Sequence, residues 1–402
     1  MVHGDTHLKS DSLTWVAETE KWLPDDVSRK CVRFCGGVGF RTFIENELRR
    51  KLLSSRAFNA NSKDKPLTSY PEFSDTAAVA QDIVSVLDGL PYRYRVTVGL
   101  PRSVSTGILS LIDYFDLSPN ANLCSASKLP DPLPMTSDNV VFNATLWNEL
   151  WDQDGYDTEI QDGRLYLTQT AIGYSGAAGT SLLAREMEDS LRAFYGAGLS
   201  LNIFEYEYVH EESEPVIVIH REDGDKRPII TFKELEADLW SNKSYLSCKS
   251  VTTGGLALPN MRMALRRISH IYKDETAQKR LFTACIWYFR AKFSQRPLDK
   301  LLESTIAIEV ILGDRETADG VGLTKLLGNR CAYMLGKTGQ ERDDIQKAFV
   351  EIYKLRSSIV HSGKHRADRE EARVVNEGVK LCGRIIAHEL KSLERESTTE
   401  FQ

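Results

Sequence analysis

The sequence of 402 residues lacks any long hydrophobic run. Nowhere do about 18 apolar residues follow one another, which is the length that a membrane-spanning helix needs. The first residues, Met1-Val-His-Gly-Asp-Thr-His-Leu-Lys9, contain no apolar stretch of signal-peptide length. We therefore expect a cytoplasmic chain with no membrane partner.

The sequence also has few features of a metal or nucleotide site. Seven cysteines are an odd number and stand mostly among apolar residues, which is typical of reduced core thiols. Cys31 and Cys35 form the closest pair, but no second Cys or His pair follows at zinc-site spacing. The glycines of Gly173-Tyr-Ser-Gly-Ala-Ala-Gly179 precede a helical pattern without the Gly-Lys-Ser/Thr of a phosphate-binding loop. The sequence predicts no metal and no cofactor.

Charge of opposite sign dominates the two parts of the chain. Residues 1–255 carry 25 Lys and Arg against 37 Asp and Glu, whereas residues 256–402 carry 26 against 20. The net charge of −12 in the first part and +6 in the second leaves −6 overall. A basic C-terminal part suits contact with nucleic acid, although mutual attraction of the two parts would produce the same asymmetry.

Residues 1–255 mix helical and strand patterns and predict an α+β region. The pattern favours strands at Val27–Phe34 and Tyr92–Leu100, with a helix over Phe40–Leu53 between them. Residues 117–139 contain four prolines and several Ser and Asn. This stretch indicates either a boundary between two subdomains or a long surface loop.

Residues 256–395 show helical periodicity throughout and predict an all-α bundle, followed by a tail at 396–402. Apolar residues recur at helical spacing in about six segments, with Pro297 between the second and third. The segments are 261–271, 281–293, 301–312, 323–335, 342–361 and 369–393.

A basic cluster opens the bundle at Arg262, Arg266 and Arg267. These side chains are either a solvated helix face or contacts to an RNA backbone. Deeper in the bundle, Glu309 and Arg330 each stand among apolar residues. Because a buried charge is costly without a partner, each is the first candidate to pair with the other.

Arg356 and His361 lie on the last turns of the fifth helical segment. A guanidinium offers a planar fork of donors to phosphate oxygens, and an imidazole can move a proton near neutral pH. RNA cleavage without a metal needs positive charge at the phosphate and a proton donor for the leaving oxygen, and these two groups suit those roles. At about 100° per residue, however, five positions put the two side chains about 140° apart on a regular helix. Either the helix distorts, or a partner chain completes the site.

The motif Arg356-Ser-Ser-Ile-Val-His361 resembles the signature of the HEPN superfamily, an Arg followed by a His after four to six residues. Its surroundings are similar to Apea-like HEPN domains in three segments that occur in the same order: Leu301–Leu312, Asn329–Leu335 and Phe349–Arg356. Ser357 occupies the place where these domains commonly have a larger polar residue.

The resemblance implies a helical and often dimeric domain that cleaves RNA as a metal-independent endoribonuclease. Arg356 and His361 are then the catalytic residues, and Ser357, Tyr353, Glu309 and Arg330 support them. RNA and a second copy of the chain are the expected partners, and residues 1–255 would hold a sensor or regulatory region that binds a further partner or ligand. The resemblance also suggests a toxin or antiviral defence effector. The alternative is a non-catalytic helical module that mediates interactions or binds a nucleotide.

Overall fold

A computed structural model describes the chain in thirteen stretches. They are residues 20–35, 39–53, 65–129, 156–157, 163–176, 182–207, 214–215, 217–222, 229–230, 245–249, 258–273, 276–313 and 322–399. The chain forms two compact units. The first comprises residues 1–101, 124–188 and 211–235, and the second comprises 102–123, 189–210 and 236–402.

Helices and strands alternate in the part of the chain before residue 258, as the sequence predicts. The described helices are α1 (Asp25–Cys35), α2 (Gly39–Leu53), α3 (Thr76–Gly89), α4 (Arg102–Leu109) and α5 (Leu182–Ser200). The described strands are β1 (Tyr92–Gly99), β2 (Tyr114–Ser118), β3 (Ala121–Ser125), β4 (Tyr156–Asp157), β5 (Leu165–Gly173), β6 (Phe204–Glu207), β7 (Glu214–Pro215), β8 (Ile217–Arg221), β9 (Ile229–Ile230) and β10 (Tyr245–Cys248).

An antiparallel sheet forms the core of the first unit. Within this unit four neighbouring strands of the sheet follow the order β5-β1-β8-β9. The register of β1 against β5 runs from Tyr92 opposite Gly173 to Gly99 opposite Tyr166. Aromatic and β-branched residues suit the centre of a sheet, and Tyr94, Val96 and Val98 of β1 are buried there. The strand predicted at Tyr92–Leu100 is therefore correct within one residue.

The strand predicted at Val27–Phe34 is wrong, because these residues belong to α1. Asp25 and Asp26 occupy the first turn of this helix, where negative carboxylates interact favourably with the helix dipole. The amide of Ser28 donates to the carbonyl of Pro24. The proline-rich stretch also differs from a plain loop, since residues 117–129 contain the end of β2, all of β3 and a short 3-10 turn. Residues 130–139 lie outside the described residues.

The second unit is largely helical. Its described helices after residue 258 are α6 (Leu258–Ser269), α7 (Thr276–Phe293), α8 (Pro297–Leu312), α9 (Leu323–Leu335), α10 (Gly339–Ser362) and α11 (Arg369–Thr399). Pro297 occupies the first turn of α8, where its missing amide leaves no hydrogen bond unmade. The all-α character predicted for this region is confirmed. The predicted boundary near 255 falls in residues 250–257, outside the described part.

The most extensive helix packing in the bundle is between α7 and α8, between α8 and α11, and between α9 and α10. Apolar side chains that are fully buried, among them Leu301, Phe349, Ile352 and Ile385, fill the space between them. The antiparallel pair β6 and β10 also belongs to this unit. Among the described residues no helix is long and apolar enough to cross a membrane.

Candidate active site

The helix α10 carries the Arg–His motif and has well-defined ends. The hydroxyl of Thr338 accepts from the amide of Glu341 at 3.2 Å, and the Glu341 carboxylate accepts from the amide of Thr338, which completes a capping box. At the other end Gly363 adopts a left-handed conformation with φ of 66°. The helix remains α-helical through Ser362, past both Arg356 and His361.

Arg356 faces a carboxylate on the neighbouring helix α8. Its Nη2 lies 3.5 Å from Oε1 of Glu309, and the Tyr353 hydroxyl donates to the same oxygen at 2.9 Å. The Arg356 and Glu309 side chains are 30% and 26% exposed, so water still reaches both. The pair therefore fixes the direction of the guanidinium more than it stabilises the fold.

Tyr353 anchors this group in the core of the bundle. Its ring stacks on Phe349 with centroids 4.6 Å apart and an interplanar angle of 22°. Burial, and then the neighbouring Glu309 carboxylate, raise the pKa of the Tyr353 phenol well above its usual value. The hydroxyl consequently stays protonated and remains a donor to Glu309 at neutral pH.

Arg330 has a different role from the predicted pairing with Glu309. Its Nη1 donates to the carbonyl of Leu312 at the end of α8. Arg280 of α7 reaches the same helix end and donates to the carbonyls of Val310 at 2.8 Å and Ile311 at 3.1 Å. The last carbonyls of a helix have no partner within it, so these two arginines satisfy them. Glu309 is instead matched by Arg356, and neither Glu309 nor Arg330 is fully buried.

His361 and Ser357 lie on the solvent side of α10. Both residues are exposed, as are Lys347, Val350 and Lys354. These residues recur every three or four positions and therefore form one face of the helix. Arg356 lies beside this face and is turned toward α8. Within one chain the structure thus brings Arg356, Tyr353 and Glu309 together, and leaves His361 on another side of the helix.

The three predicted RNA-binding arginines divide into two groups. Arg262 and Arg266 are exposed on α6. Arg267 is only 18% exposed, and its Nε donates to Oε2 of Glu394 on α11 at 2.7 Å. Arg267 therefore joins two helices and is less available to a ligand than its neighbours.

Two sets of contacts in the bundle were not predicted from the sequence, one made by Lys364 and the other by Arg280. Lys364, just after the helix end, binds the carboxylate of Glu371, and the amide of Asp368 donates to the same side chain at 3.0 Å. These contacts hold the short connection between α10 and α11. The spacing Asp368-x-x-Glu371 is a capping signal that could have revealed the second contact. Arg280 lies on a distant helix, and no local pattern indicates its role.

All seven cysteines are free thiols and six of them are buried, as the sequence predicts. Burial raises the pKa of Cys331, near Tyr353, to about 12. A thiol that remains protonated is a poor nucleophile, so Cys331 is a core residue. In the part of the chain that the structure describes, no group of three or more His, Cys, Asp or Glu side chains could hold a metal ion.

Comparison of the chain with models of protein families, with characterised proteins and with solved structures found no match. The similarity to HEPN domains therefore depends on the motifs quoted above.

Proposed function

We propose that the chain is a metal-independent endoribonuclease of the HEPN type, with Arg356 and His361 as its catalytic residues. The observation that carries this proposal is the arrangement around Arg356 on α10. Glu309 directs the guanidinium while leaving it partly exposed, and an exposed imidazole follows five residues later at the end of the same helix. The resemblance of this helix and its neighbours to HEPN domains supplies the reaction class.

The proposed reaction needs only groups that the chain and the RNA provide. An imidazole takes the proton of the ribose 2′-hydroxyl, and the 2′-oxygen forms a bond to phosphorus while the bond from phosphorus to the 5′-oxygen breaks. The 5′-oxygen receives a proton from an imidazolium. Arg356 donates to the non-bridging oxygens as charge develops on them. The products are a 2′,3′-cyclic phosphate and a 5′-hydroxyl.

A homodimer resolves the divergence of Arg356 and His361. Because α10 is regular through Ser362, distortion of this helix does not bring Arg356 and His361 together within one chain. A two-fold axis next to the exposed face of α10 would place two arginines and two histidines around one cleft. Ile352 of α10 is fully buried within its own chain, so the exposed face of this helix is the surface that remains for a partner.

Incubation of the purified chain with total RNA in EDTA tests the proposal. The wild-type chain should cleave RNA, and His361→Ala should lose roughly 10²-fold or more of the rate because general acid–base catalysis is removed. His365→Ala is the matched control, since His365 is also exposed and lies four residues further along. Equal rates for His361→Ala and the wild-type chain would rule out the proposed catalytic role.

Mixing experiments test the dimeric site. An excess of His361→Ala chain added to wild-type chain should lower activity below simple dilution, because mixed dimers lose one imidazole. A decrease in proportion to the wild-type fraction, together with a monomeric mass from light scattering, would argue against a shared site.

The second candidate is a non-catalytic helical interaction module. The ion pair between Arg356 and Glu309 favours it, because a guanidinium already facing a carboxylate often has a structural role. In that case Arg356→Lys would change dimer formation or stability, and neither the variant nor the wild-type chain would release cyclic phosphate from RNA.

A further inference from the structure

The outer face of α11 presents a row of basic side chains. Between residues 380 and 391 the exposed residues are Lys380, Arg384, His388 and Lys391, and every one is basic. At 1.5 Å per residue the row is about 16 Å long. Its spacings of four, four and three residues keep all four side chains on one side of the helix.

The helix α6 adds two more cations near one end of this row. The ion pair of Arg267 with Glu394 ties α6 to α11 at 2.7 Å. Arg266 is the neighbour of Arg267, and Lys391 lies one turn before Glu394. The exposed Arg262 precedes Arg266 by one turn. We call Arg262, Arg266, Lys380, Arg384 and Lys391 the basic surface.

The composition of the row on α11 indicates what kind of molecule it fits. Protein interfaces depend on buried aromatic or aliphatic anchors, and the row has none among its exposed residues. A row of positive charges instead suits a polymer with repeated negative charges. Lysine ammonium groups are point charges that bind phosphate without reading bases.

We infer that the basic surface binds the phosphate backbone of single-stranded RNA independently of its sequence. The choice of RNA depends on the proposed function, and a single strand follows because attack by a 2′-hydroxyl requires a flexible backbone. The surface holds the substrate, whereas Arg356 and His361 act on it. Affinity and cleavage therefore depend on separate residues.

A binding experiment with the full-length His361→Ala chain tests this inference without cleavage of the probe. The probe is a fluorescent oligouridylate, and its anisotropy gives Kd over a range of salt concentrations. The test variant also carries Lys380→Gln, Arg384→Gln and Lys391→Gln. The matched control carries Lys273→Gln, Lys325→Gln and Lys337→Gln, which remove the same charge from other exposed sites of the second unit.

The test variant should bind more weakly than the control. The slope of log Kobs against log salt should become less negative by about 0.7 for each lost phosphate contact, or about 2 for three. Equal affinities and equal slopes for the two variants would overturn the inference. Oligodeoxythymidylate should bind about as tightly, because contacts to phosphate do not read the 2′-hydroxyl. Much weaker binding of oligodeoxythymidylate would contradict an assignment to phosphate contacts alone. Urea unfolding of both variants checks that each is folded.

Cleavage by the wild-type chain is measured separately. A chain that binds through the basic surface but does not cut RNA supports the binding inference and contradicts the ribonuclease proposal. If the test variant in a His361 background cuts RNA as well as the wild-type chain, the ribonuclease proposal is supported and the binding inference is contradicted.

Discussion

Glu309 is the residue on which the candidate site depends, because one of its carboxylate oxygens meets both Tyr353 and Arg356. The Tyr353 hydroxyl fixes the position of that oxygen from the core, and the guanidinium approaches it from the solvent side. The sequence marks Glu309 as a charge among apolar residues but cannot tell which cation it meets. That choice depends on how α8, α9 and α10 pack, and Arg356 rather than Arg330 is the partner.

Replacing Glu309 by Gln tests whether this carboxylate directs Arg356. The amide oxygen can still accept from Tyr353, so only the charge opposite Arg356 is removed. We expect a loss of about 0.5–1 kcal/mol in the free energy of unfolding, because the pair is partly exposed. Cleavage should fall, but less than in His361→Ala.

Urea unfolding and initial cleavage rates measure the two effects of Glu309→Gln. The control is Glu351→Gln, which removes an exposed carboxylate from α10 itself. A cleavage rate equal to that of the control would show that Glu309 has no part in positioning Arg356.

Replacing Tyr353 by Phe removes the hydrogen bond from the core to Glu309. Hydrogen bonds to charged groups contribute about 1.5–3 kcal/mol, and we expect a loss of that size in urea unfolding. The folded-state pKa of Tyr353 lies above its unfolded value of 10.0, so its contribution is complete below pH 10.0 and decreases as pH rises further. Other buried tyrosines titrate in both the wild-type chain and Tyr353→Phe, so their effects cancel in the difference between the two.

The difference between the wild-type chain and Tyr353→Phe therefore isolates this phenol. It should be constant from pH 7 to 9 and shrink above pH 10.0. A difference that does not change with alkaline pH would mean that the Tyr353 phenol ionises equally in the folded and unfolded chains.

At the scale of elements, the capping and charged residues at helix ends decide how closely the sequence predicts each helix. The segment 323–335 coincides with α9, and Arg369 is the first residue of α11. The start of α10 is three residues earlier than predicted, because apolar periodicity begins after Thr338-x-x-Glu341. In α1 the alternation of apolar and basic residues resembles a strand, while the acidic first turn favours the helix. Only Cys31 of α1 is buried, so its apolar pattern is weak.

Replacing Thr338 by Ala tests the capping box of α10. We expect a loss of about 1 kcal/mol in the free energy of unfolding, measured by heat or urea.

The amides of Lys337 and Thr338 hold the pKa of Glu341 below its usual value of 4.5. The contribution of the Glu341 carboxylate to stability is therefore complete above pH 4.5 and is lost as pH falls through the lower folded-state pKa.

The variant Glu341→Gln should therefore lose less stability than the wild-type chain on acidification below pH 4.5. Asp343→Asn is the control, since Asp343 is exposed on the same turn. Identical acid profiles for Glu341→Gln and the wild-type chain would contradict the capping role of this carboxylate.

At the scale of the whole molecule, the sequence predicts the change from mixed to helical structure but not the composition of the second unit. That unit includes residues 102–123 and 189–210, which are distant in sequence from the bundle. The Tyr272 hydroxyl donates to the carbonyl of Ser190 at 2.9 Å, and the rings of Tyr195 and Phe289 lie 5.8 Å apart. Local patterns carry no information about such long-range contacts.

A fragment of residues 256–402 should therefore fold less well than the intact chain. It would lack the partner of the Tyr272 hydroxyl and expose the ring of Phe289. We expect fluorescence of a bound apolar dye, a broad urea transition and lower stability than in the full-length chain. A sharp transition at the same urea concentration as the full-length chain would contradict this expectation.

The divided make-up of the second unit also matters while the chain is being synthesised. Val104 and Phe194 leave the ribosome early, yet their buried positions belong to a unit that ends with α11. At about 5–20 residues per second, α11 follows residue 210 by roughly 10–40 seconds. During that interval these apolar side chains have no complete core to enter. We therefore expect slower translation before α11 to increase the fraction of nascent chain that aggregates.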